Sequence, residues 1–455
     1  MKIAQVYPHS VISVPHAEIF DALAIVNYEI GRRLAQTHAV VTYPKCGKGQ
    51  RELERHEGVT YRRMSERFDS IVNLLRVLDK GVLKPERPFR LSPFYYAHYA
   101  RRVALDIRAR QCQLIHIHSV TNFIPVMRAV NPKAHVVLHM HDHSLSDFDP
   151  AVVGPRLEQA SLIVGCSDFV IDSVRKRFPT VASRCHTLYN GVDRRFLDIH
   201  SDPARSSSVL FVGRLCPEKG VHVLLDAVSK LPANQPLPEV NLVGPLDVAP
   251  KEFVDPLSQD PLFKGLESYY SRPTTFQEQL QRQAAGLGDR AILHGRVLNS
   301  DIGEHYAKAG IFVFPSLWHE PFGIPVIEAM AAGLPVVATR GGALPEIVVH
   351  GETGFLVERG DVEGLSKAIS TLVVNPALRA RMGAAGRARV REMFTWEHCV
   401  YRLNQLYALS TERTGSDQFL LGMSNPRTTA GRATNASSAL VTCANSAMPT
   451  SSPAP

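Results

Sequence analysis

Short apolar runs alternate with longer amphipathic segments along most of the chain. Ile3–Val6, Val40–Tyr43 and Leu114–His118 are short and mainly apolar, which is typical of strands buried in a sheet. Segments between such runs, for example Glu18–Gln36, repeat their apolar residues at helical spacing. Because strands and helices alternate, the pattern predicts βαβ units and parallel sheets covered by helices.

The alternation falls into two sets, separated by a polar, Ser-rich stretch at residues 198–208 that predicts a linker. The second set starts at Val209–Val212 and continues to about Val374. The other predicted elements of the two sets are Phe123–Val130, His135–Leu138, Leu162–Val164, Phe169–Phe178, Cys185–Tyr189, Val240–Val243, Ala291–Leu293, Ile311–Phe314, Val336–Ala338 and Phe355–Val357.

This pattern predicts an α/β protein with two tandem Rossmann-like, doubly wound domains that face a central cleft. We place the first domain at residues 1–195 and the second at 205–393, the latter ending in the predicted helix Ala377–Met393. A further helix, Thr395–Leu409, occupies residues 394–410. Residues 411–455 are mainly Ser, Thr, Ala and Pro, a composition that predicts disorder because it cannot form a core.

Several segments depart from the alternation. Pro8–Pro15 predicts a loop after the first strand, and residues 62–110 predict two helices rich in Arg and aromatic residues. The aromatic and basic stretch Phe89–Tyr99 fits either packing onto its own domain or contact with an acceptor or a lipid surface. The string C-G-K-G after the second strand lacks the third glycine of a dinucleotide fingerprint and predicts a loop. A polar insertion at 245–273 interrupts the second set without a predicted role.

The composition and net charge of the chain limit the classes of function that are expected. The hydrophobic share of 45% and the charged share of 21% are those of an ordinary globular protein. The net charge of +8 fits acidic partners such as phosphorylated substrates or anionic lipid, or simply arginines scattered over helices. No basic cluster carries interleaved aromatics, so nucleic-acid binding is not expected.

The spacing of the cysteines and the first residues of the sequence indicate the cellular compartment in which the protein is expected. Seven widely spaced cysteines without a C-x-x-C pair are typical of reduced thiols. The start, MKIAQVYPHS, lacks the pattern of a signal peptide, and no apolar run is long enough to span a membrane. We therefore expect a cytoplasmic protein, with a peripheral position at the inner face of the membrane as the alternative.

The stretch HEPFGIPVIE carries the clearest candidate chemistry. Glu320 lies on a loop after a predicted strand, whereas Glu328 lies in a helix whose start is marked by Pro325. The backbone from Phe322 to Ile324 can offer N–H groups at the N-terminus of this helix. Two carboxylate acceptors beside a small group of donors suit a polyol that carries negative charge, so the sequence predicts a sugar-nucleotide site.

The stretch FVGRLCPEKG follows the first strand of the second set. Gly213 allows a phosphate to approach the backbone, and Arg214 and Lys219 can bracket a diphosphate. An ordinary βα loop with surface cations is the alternative.

The string HMHDH closes the predicted strand His135–Leu138 and suggests a metal site. It is one residue short of the metallo-hydrolase spacing, and chain alternation places His139 and His141 on one face with Asp142 opposite. A capped strand end with solvated histidines is the alternative.

Asp147-Phe148-Asp149 has the D-x-D form of a metal motif but lies among loop-forming residues. His116 and His118 are expected to end a strand, with one of them facing the cleft.

Together, E-P-F-G-I-P-V-I-E and G-R-x-x-x-x-K-G resemble the signature motifs of the retaining, GT-B type glycosyltransferases of family 4, and the resemblance covers roughly residues 1–410. It implies that the donor binds the second domain and the acceptor the first, and that a helix from about Phe394 crosses back to the first domain. By this resemblance, the donor sugar hydroxyls are bound by Glu320 together with the N–H groups of Phe322, Gly323 and Ile324, and the ribose is bound by Glu328. The diphosphate is bound by Gly213, Arg214 and Lys219, and the base contacts the backbone of Val297. His141 is expected near the reacting carbon.

The resemblance also implies that no metal and no cofactor are required, since protein cations hold the nucleoside diphosphate. The expected donor is a nucleoside-diphosphate sugar, and the expected acceptor is a glycan, a lipid-linked or another hydroxyl compound of cell-surface polysaccharide or glycoconjugate synthesis. One departure concerns the acceptor side, where the family often has a glycine-rich loop and this chain has PHSVISVPH; His9, Ser10 and His16 are the candidates there. A nucleotide-sugar epimerase of the same architecture and a non-catalytic sugar-binding or coat component remain alternatives.

Overall fold

The computed structural model describes residues 1–11, 22–47, 49–65, 68–69, 72, 86–199, 201–248 and 260–422. The strands in this part of the chain are β1 (Lys2–Val11), β2 (Ala39–Lys45), β3 (Leu53–His56), β4 (Val59–Arg62), β5 (Leu114–His118), β6 (His135–Met140), β7 (Leu162–Gly165), β8 (Cys185–Thr187), β9 (Val209–Val212), β10 (Val240–Val243), β11 (Ala291–Gly295), β12 (Ile311–Phe314), β13 (Val336–Thr339) and β14 (Gly354–Val357).

The α-helices of the same residues are α1 (Ala22–Leu34), α2 (Ala97–Arg110), α3 (Phe123–Val130), α4 (Pro150–Leu157), α5 (Asp168–Arg177), α6 (Arg194–Leu197), α7 (Val221–Ser229), α8 (Pro261–Lys264), α9 (Glu267–Ser271), α10 (Pro273–Gly286), α11 (Ile302–Lys308), α12 (Ile324–Ala331), α13 (Leu344–Ile347), α14 (Val362–Val373), α15 (Pro376–Met393) and α16 (Trp396–Gly422). Residues Met1–Thr411 form one compact unit.

The first sheet has the strand order β3-β4-β2-β1-β5-β6-β7-β8. Its strands pair in parallel except for β3, which runs antiparallel to β4. Every residue of β5 and of β7 is buried, as expected for parallel strands with both faces covered by helices. The order changes direction between β1 and β5, so the carboxyl ends of these two strands border a crevice.

The second sheet is parallel throughout, with the order β11-β10-β9-β12-β13-β14. If β9 is counted as the first strand, the order reads 3-2-1-4-5-6, which is the order of a Rossmann sheet. The order changes direction between β9 and β12. The loops that follow these two strands therefore meet at the switch point. The predicted α/β fold class with two doubly wound sheets is confirmed.

The last helix, α16, packs against the first sheet rather than the second. Leu403 lies in the apolar cluster that contains Ile3 of β1. Glu397 forms an ion pair with Arg33 of α1 at 3.0 Å. The chain thus returns to the first sheet after completing the second.

Several elements differ from the sequence-based predictions. β1 extends to Val11, so the predicted loop at Pro8–Pro15 is wrong for its first part, and residues 12–21 lie outside the described part of the chain. The hairpin β3–β4 and the helix α4 were not predicted, because their polar and short apolar segments lack a clear period. Of the two helices predicted within residues 62–110, α2 is present.

The predicted insertion at 245–273 contains α8 and α9 in its described part, and Tyr270 of α9 is buried. α16 extends to Gly422, past the predicted helix end at Leu409, and residues 423–455 of the predicted tail lie outside the described residues. Within the described chain, no helix is both long and apolar enough to cross a membrane.

Candidate active site

Glycines bring two loops together at the switch point of the second sheet. Gly213, directly after β9, has a φ of +152°, and Gly220, before α7, has a φ of +69°, conformations that favour glycine. A Cβ atom at Gly220 would collide with the carbonyl oxygen of Pro315, which follows β12. The close approach fixes the β9–α7 loop against the loop that carries Glu320.

A buried ion pair joins these two loops. Lys219 Nζ lies 2.7 Å from Glu320 Oε1, and the side chains are 19% and 6% exposed. Ser316 donates a hydrogen bond of 2.5 Å to the same carboxylate oxygen. Lys219 Nζ also lies 5.4 Å from the ring centre of Phe314. Charges this well enclosed are weakly screened by solvent, so the pair holds both groups in fixed positions.

Arg214 occupies the same loop and is held by a carboxylate that sequence reasoning missed. Its Nη2 lies 2.9 Å from Oε1 of the buried Glu218, and the Tyr270 hydroxyl donates to Glu218 Oε2 at 2.8 Å. Burial acts to raise the pKa of Glu218, but Arg214 and hydrogen bonds from Cys216 and Tyr270 outweigh burial and lower this pKa. Arg214 is 42% exposed, so its guanidinium remains open to a ligand.

The N-terminus of α12 faces the same loops. Gly323 precedes the helix with a φ of +130°, and no side chain of the described residues caps it. Phe322 is buried and its ring packs near those of Tyr189 and Phe394. The backbone from Phe322 to Ile324 lies at the positive end of the helix, and the binding of a ligand by its N–H groups stays a prediction.

Glu328 lies in the second turn of α12 and is largely buried. Its Oε2 accepts a 2.8 Å hydrogen bond from the hydroxyl of Tyr306, a buried residue of α11. Burial raises the pKa of Glu328 from its ordinary 4.5 to about 7, although Tyr306 and the charge of Arg195 act in the opposite direction. The carboxyl group therefore titrates near neutral pH in the unliganded protein.

This pKa gives a stability prediction. Between pH 4.5 and 7 the folded state binds more protons at Glu328 than the unfolded state, so the free energy of unfolding falls as pH rises. Glu328→Gln removes this loss, and its stability relative to the parent should therefore grow by up to about 3 kcal/mol between pH 5 and pH 8. Denaturant unfolding at both pH values measures the difference. Glu304→Gln, at an exposed position of α11, should show no such trend, and a pH-independent difference for Glu328→Gln would contradict the assignment.

The two sheets' domains contact each other beside this loop. The Ser167 hydroxyl donates to the carbonyl oxygen of Pro321 at 2.6 Å. Glu346 of α13 accepts hydrogen bonds from the N–H groups of Asp168 and Phe169, at 2.8 and 2.7 Å, at the start of α5. A carboxylate at a helix N-terminus is favourably placed, so Glu346 ties the second domain to the first.

On the first sheet, four histidines at the ends of β5 and β6 form one buried cluster. His139 and His141 have ring centres 4.0 Å apart, which confirms that they share a face. His116 and His118 are 0% and 1% exposed with ring centres 4.6 Å apart, so the expectation that one of them faces the cleft is wrong. Residues two apart on a strand share a face, and here both point into the cluster.

Burial dominates the ionisation of this cluster. It lowers the pKa of His116 to about 3 and that of His141 to about 4, with a neighbouring histidine adding to the effect at His116 and Asp142 opposing it at His141. Burial also holds the pKa values of His118 and His139 well below 6.5. The alternative of solvated histidines at this strand end is therefore wrong.

Other candidate residues lie apart from the ion pair. Asp149 of the D-x-D string caps α4 by accepting from the N–H of Ala151 at 2.8 Å, which is a structural role. Val297 follows β11, a strand separated from β9 by β10, and packs partly buried against the core. His9 and Ser10 belong to β1, but their side chains lie outside the described residues, as does the whole of His16.

The sequence spacing indicates two of the side chains that pair with the candidate site residues. Glu218 lies inside FVGRLCPEKG, four residues after Arg214, a spacing that allows an ion pair. Ser316 likewise precedes Glu320 by four residues. Tyr270 and Tyr306 come from distant segments, so only the fold brings them to Glu218 and Glu328.

The chain matches known proteins over both domains. The family model described as Glycosyltransferase Family 4 matches residues 23–196, and that described as Glycosyl transferases group 1 matches residues 195–389. The D-inositol 3-phosphate glycosyltransferase of Streptomyces avermitilis is 34% identical over 359 residues, which cover 73% of this chain and 72% of that protein. Spore coat protein SA of Bacillus subtilis is 25% identical over 347 residues, 70% of this chain and 85% of that protein.

The solved structure of HepE from Anabaena superposes with a TM-score of 0.65 at 19% identity, covering 90% of this chain and 100% of that one. The fold is therefore that of the GT-B proteins, two Rossmann-like domains with the last helix returned to the first. The chain belongs to the group 1 family of glycosyltransferases.

Proposed function

We propose that this glycosyltransferase moves a sugar from a nucleoside-diphosphate sugar to a hydroxyl acceptor, with retention at the anomeric carbon. The observation that carries the proposal is the Lys219–Glu320 ion pair at the switch point of the second sheet, with Arg214 on the same loop. A cation for phosphate and an anion for sugar hydroxyls stand side by side, as a nucleotide sugar requires. Retention rests on the family resemblance.

In this proposal the chain's own charges hold the leaving group. Lys219 and Arg214 face the diphosphate and stabilise the negative charge that grows as the bond between sugar and phosphate breaks. The N–H groups at the start of α12 add positive potential from the helix. Glu320 accepts from donor-sugar hydroxyls, Glu328 from the ribose, and the backbone near Val297 contacts the base.

The first domain supplies the other wall. We assign His141, which directly follows β6, a position near the reacting carbon, and the acceptor binds against the first domain. A glycan or lipid-linked alcohol, of the kind used in cell-surface polysaccharide or glycoconjugate synthesis, is the acceptor class we propose. The structure of HepE contains UDP, which supports a nucleoside diphosphate as the ligand to test first.

No divalent cation is required for donor binding in this proposal, because guanidinium and ammonium groups supply the positive charge. Calorimetric titration with UDP, GDP and ADP in Mg²⁺- and Mn²⁺-free buffer tests it. We expect one of these nucleotides to bind, and Arg214→Gln to weaken its binding by about ten- to a hundredfold, the value of a charged hydrogen bond.

Arg175→Gln is the matched control. Arg175 is 37% exposed, pairs with Asp172 on α5 and donates to the carbonyl oxygen of Cys185 at 2.7 Å, so the variant removes a paired arginine of similar exposure from the first domain. It should bind the nucleotide as the parent does. Binding that needs Mg²⁺ or Mn²⁺, or equal affinity for the two variants, would contradict the proposed diphosphate site.

A further inference from the structure

The histidine cluster of the first sheet has donor and acceptor atoms that the protein does not use. His116, His118 and His139 are 0%, 1% and 0% exposed. Within the part of the chain that the structure describes, His118 Nε2 and His139 Nε2 have no hydrogen-bond partner. Leaving a buried polar atom unsatisfied destabilises a protein, so such atoms in native proteins call for a partner such as a water molecule or an ion.

The remaining nitrogens of the cluster are engaged in an ordered way. His116 Nδ1 lies 2.5 Å from the hydroxyl of Tyr407 on α16, and its Nε2 lies 3.1 Å from His139 Nδ1. His118 Nδ1 lies 2.9 Å from His141 Nε2. Tyr407 thus fixes the ring of His116 through Nδ1, and His141 fixes the ring of His118 in the same way. The Nε2 atom of each of these two rings points toward the centre of the three histidines.

We propose that His116, His118 and His139 bind one divalent transition-metal ion, with Zn²⁺ as the matching chemistry. One ring nitrogen from each residue lies within 4.8 Å of the others. Imidazole nitrogens coordinate Zn²⁺ at about 2.0–2.1 Å, so two ligands of one tetrahedral ion stand about 3.3 Å apart. In this set the donor atoms are His116 Nε2 and His139 Nδ1, whose distance of 3.1 Å is close to that separation, and His118 Nε2, unpartnered among the described residues, which a small inward movement of the ring brings to the ion.

The surroundings have the form of a metal site. A metal-bound histidine typically uses its second nitrogen for a hydrogen bond that fixes the ring. Tyr407 plays this part for His116, and His141 plays it for His118. The donors are all imidazoles, which suits Zn²⁺ and related ions and excludes the oxygen-seeking Mg²⁺ and Ca²⁺. Asp142 accepts a hydrogen bond from the N–H of Ser144, outside the cluster.

The ion would connect two elements of the fold. Through His116 it would secure Tyr407, and with it α16, to the first sheet. Through His118 it would fix the ring of His141. Because the ion binds the folded site and not the separated strands of the unfolded chain, its binding should raise the melting temperature.

The test uses the full chain, stripped of metal by chelator and dialysis and then titrated with Zn²⁺ alone. We expect one ion per chain by calorimetry and elemental analysis, and a rise of several degrees in melting temperature. His118→Gln and His139→Gln should each weaken Zn²⁺ binding by at least about tenfold. The matched control, His135→Gln, removes a half-buried histidine from the other end of β6 and should bind as the parent does.

Two results would overturn the proposal: no Zn²⁺ binding by the parent protein, or equal binding by the parent and both cluster variants, which would place the ion on surface groups. If the variants fail to fold, Co²⁺ substitution of the parent protein decides. Tetrahedral coordination by three imidazole nitrogens and a fourth ligand other than sulfur should give visible absorption without a cysteine-to-metal band, and a cysteine band or no tetrahedral spectrum would reject the site. None of these readouts depends on turnover or on nucleotide binding.

Discussion

Lys219→Met should lower kcat by about a hundred- to a thousandfold, the loss measured when one preorganised donor to a developing negative charge is removed. Lys219 is largely enclosed, and Glu320 and the ring of Phe314 hold its ammonium group in place. Its position therefore costs no reorganisation as the diphosphate leaves. Steady-state kinetics with saturating donor measure the effect, and a normal kcat would contradict the role of Lys219.

A loss of fold must be separated from a loss of chemistry. Lys219→Met leaves the carboxylate of Glu320 buried and unpaired, which costs about 3–5 kcal/mol in comparable buried pairs. The double variant Lys219→Met/Glu320→Gln removes both charges and should recover most of the stability without recovering turnover. Lys230→Met is the control, because Lys230 directly follows α7, forms an exposed pair with Glu363 and should tolerate the change in both respects.

Glu320→Gln should depress kcat and alter the discrimination among donor sugars that share one nucleotide. In the proposed binding mode Glu320 contacts the sugar near its reacting centre, and contacts that strengthen in the transition state act on kcat. Glu328 contacts the ribose, which does not change during the reaction. Glu328→Gln should therefore mainly raise the KM for the donor, by about tenfold if one charged hydrogen bond is weakened.

Kinetic parameters for both variants, measured with two donors that differ only in the sugar, check this division. Glutamine keeps the size of each side chain and can still accept from Ser316 or Tyr306, so the local packing should hold. If the two variants exchange their signatures, so that Glu328→Gln lowers kcat and Glu320→Gln raises KM, the donor lies in the opposite direction in the cleft.

The arrangement of the second domain was largely predictable, because short stretches of sequence are sufficient to identify its strands and the site residues that follow them. Each buried strand is a short apolar run, and the segments that follow β9 and β12 carry Gly213, Arg214, Lys219 and Glu320. In a doubly wound sheet, loops after the strands on either side of the switch point meet. Local pattern plus this rule is sufficient to bring Lys219 toward Glu320.

What could not be predicted depends on register and on distant segments. The histidine cluster forms because His118 stands opposite His139 in the β5–β6 ladder, and register is not written in either strand alone. Tyr270 reaches Glu218 from an insertion whose polar sequence shows no period. The contact of Glu346 with the start of α5 depends on how the two domains meet, which no local pattern encodes.

The central claim is tested most directly by following both products of the reaction together. The protein is incubated with a panel of nucleotide sugars, with and without glycan and lipid-linked acceptors, and nucleoside diphosphate and glycosylated acceptor are quantified by mass spectrometry. The proposed function predicts that one donor releases its nucleoside diphosphate in step with acceptor glycosylation, and that the Lys219→Met protein does not. A free epimerised sugar formed without acceptor, or nucleotide-sugar binding without any turnover across the panel, would contradict it.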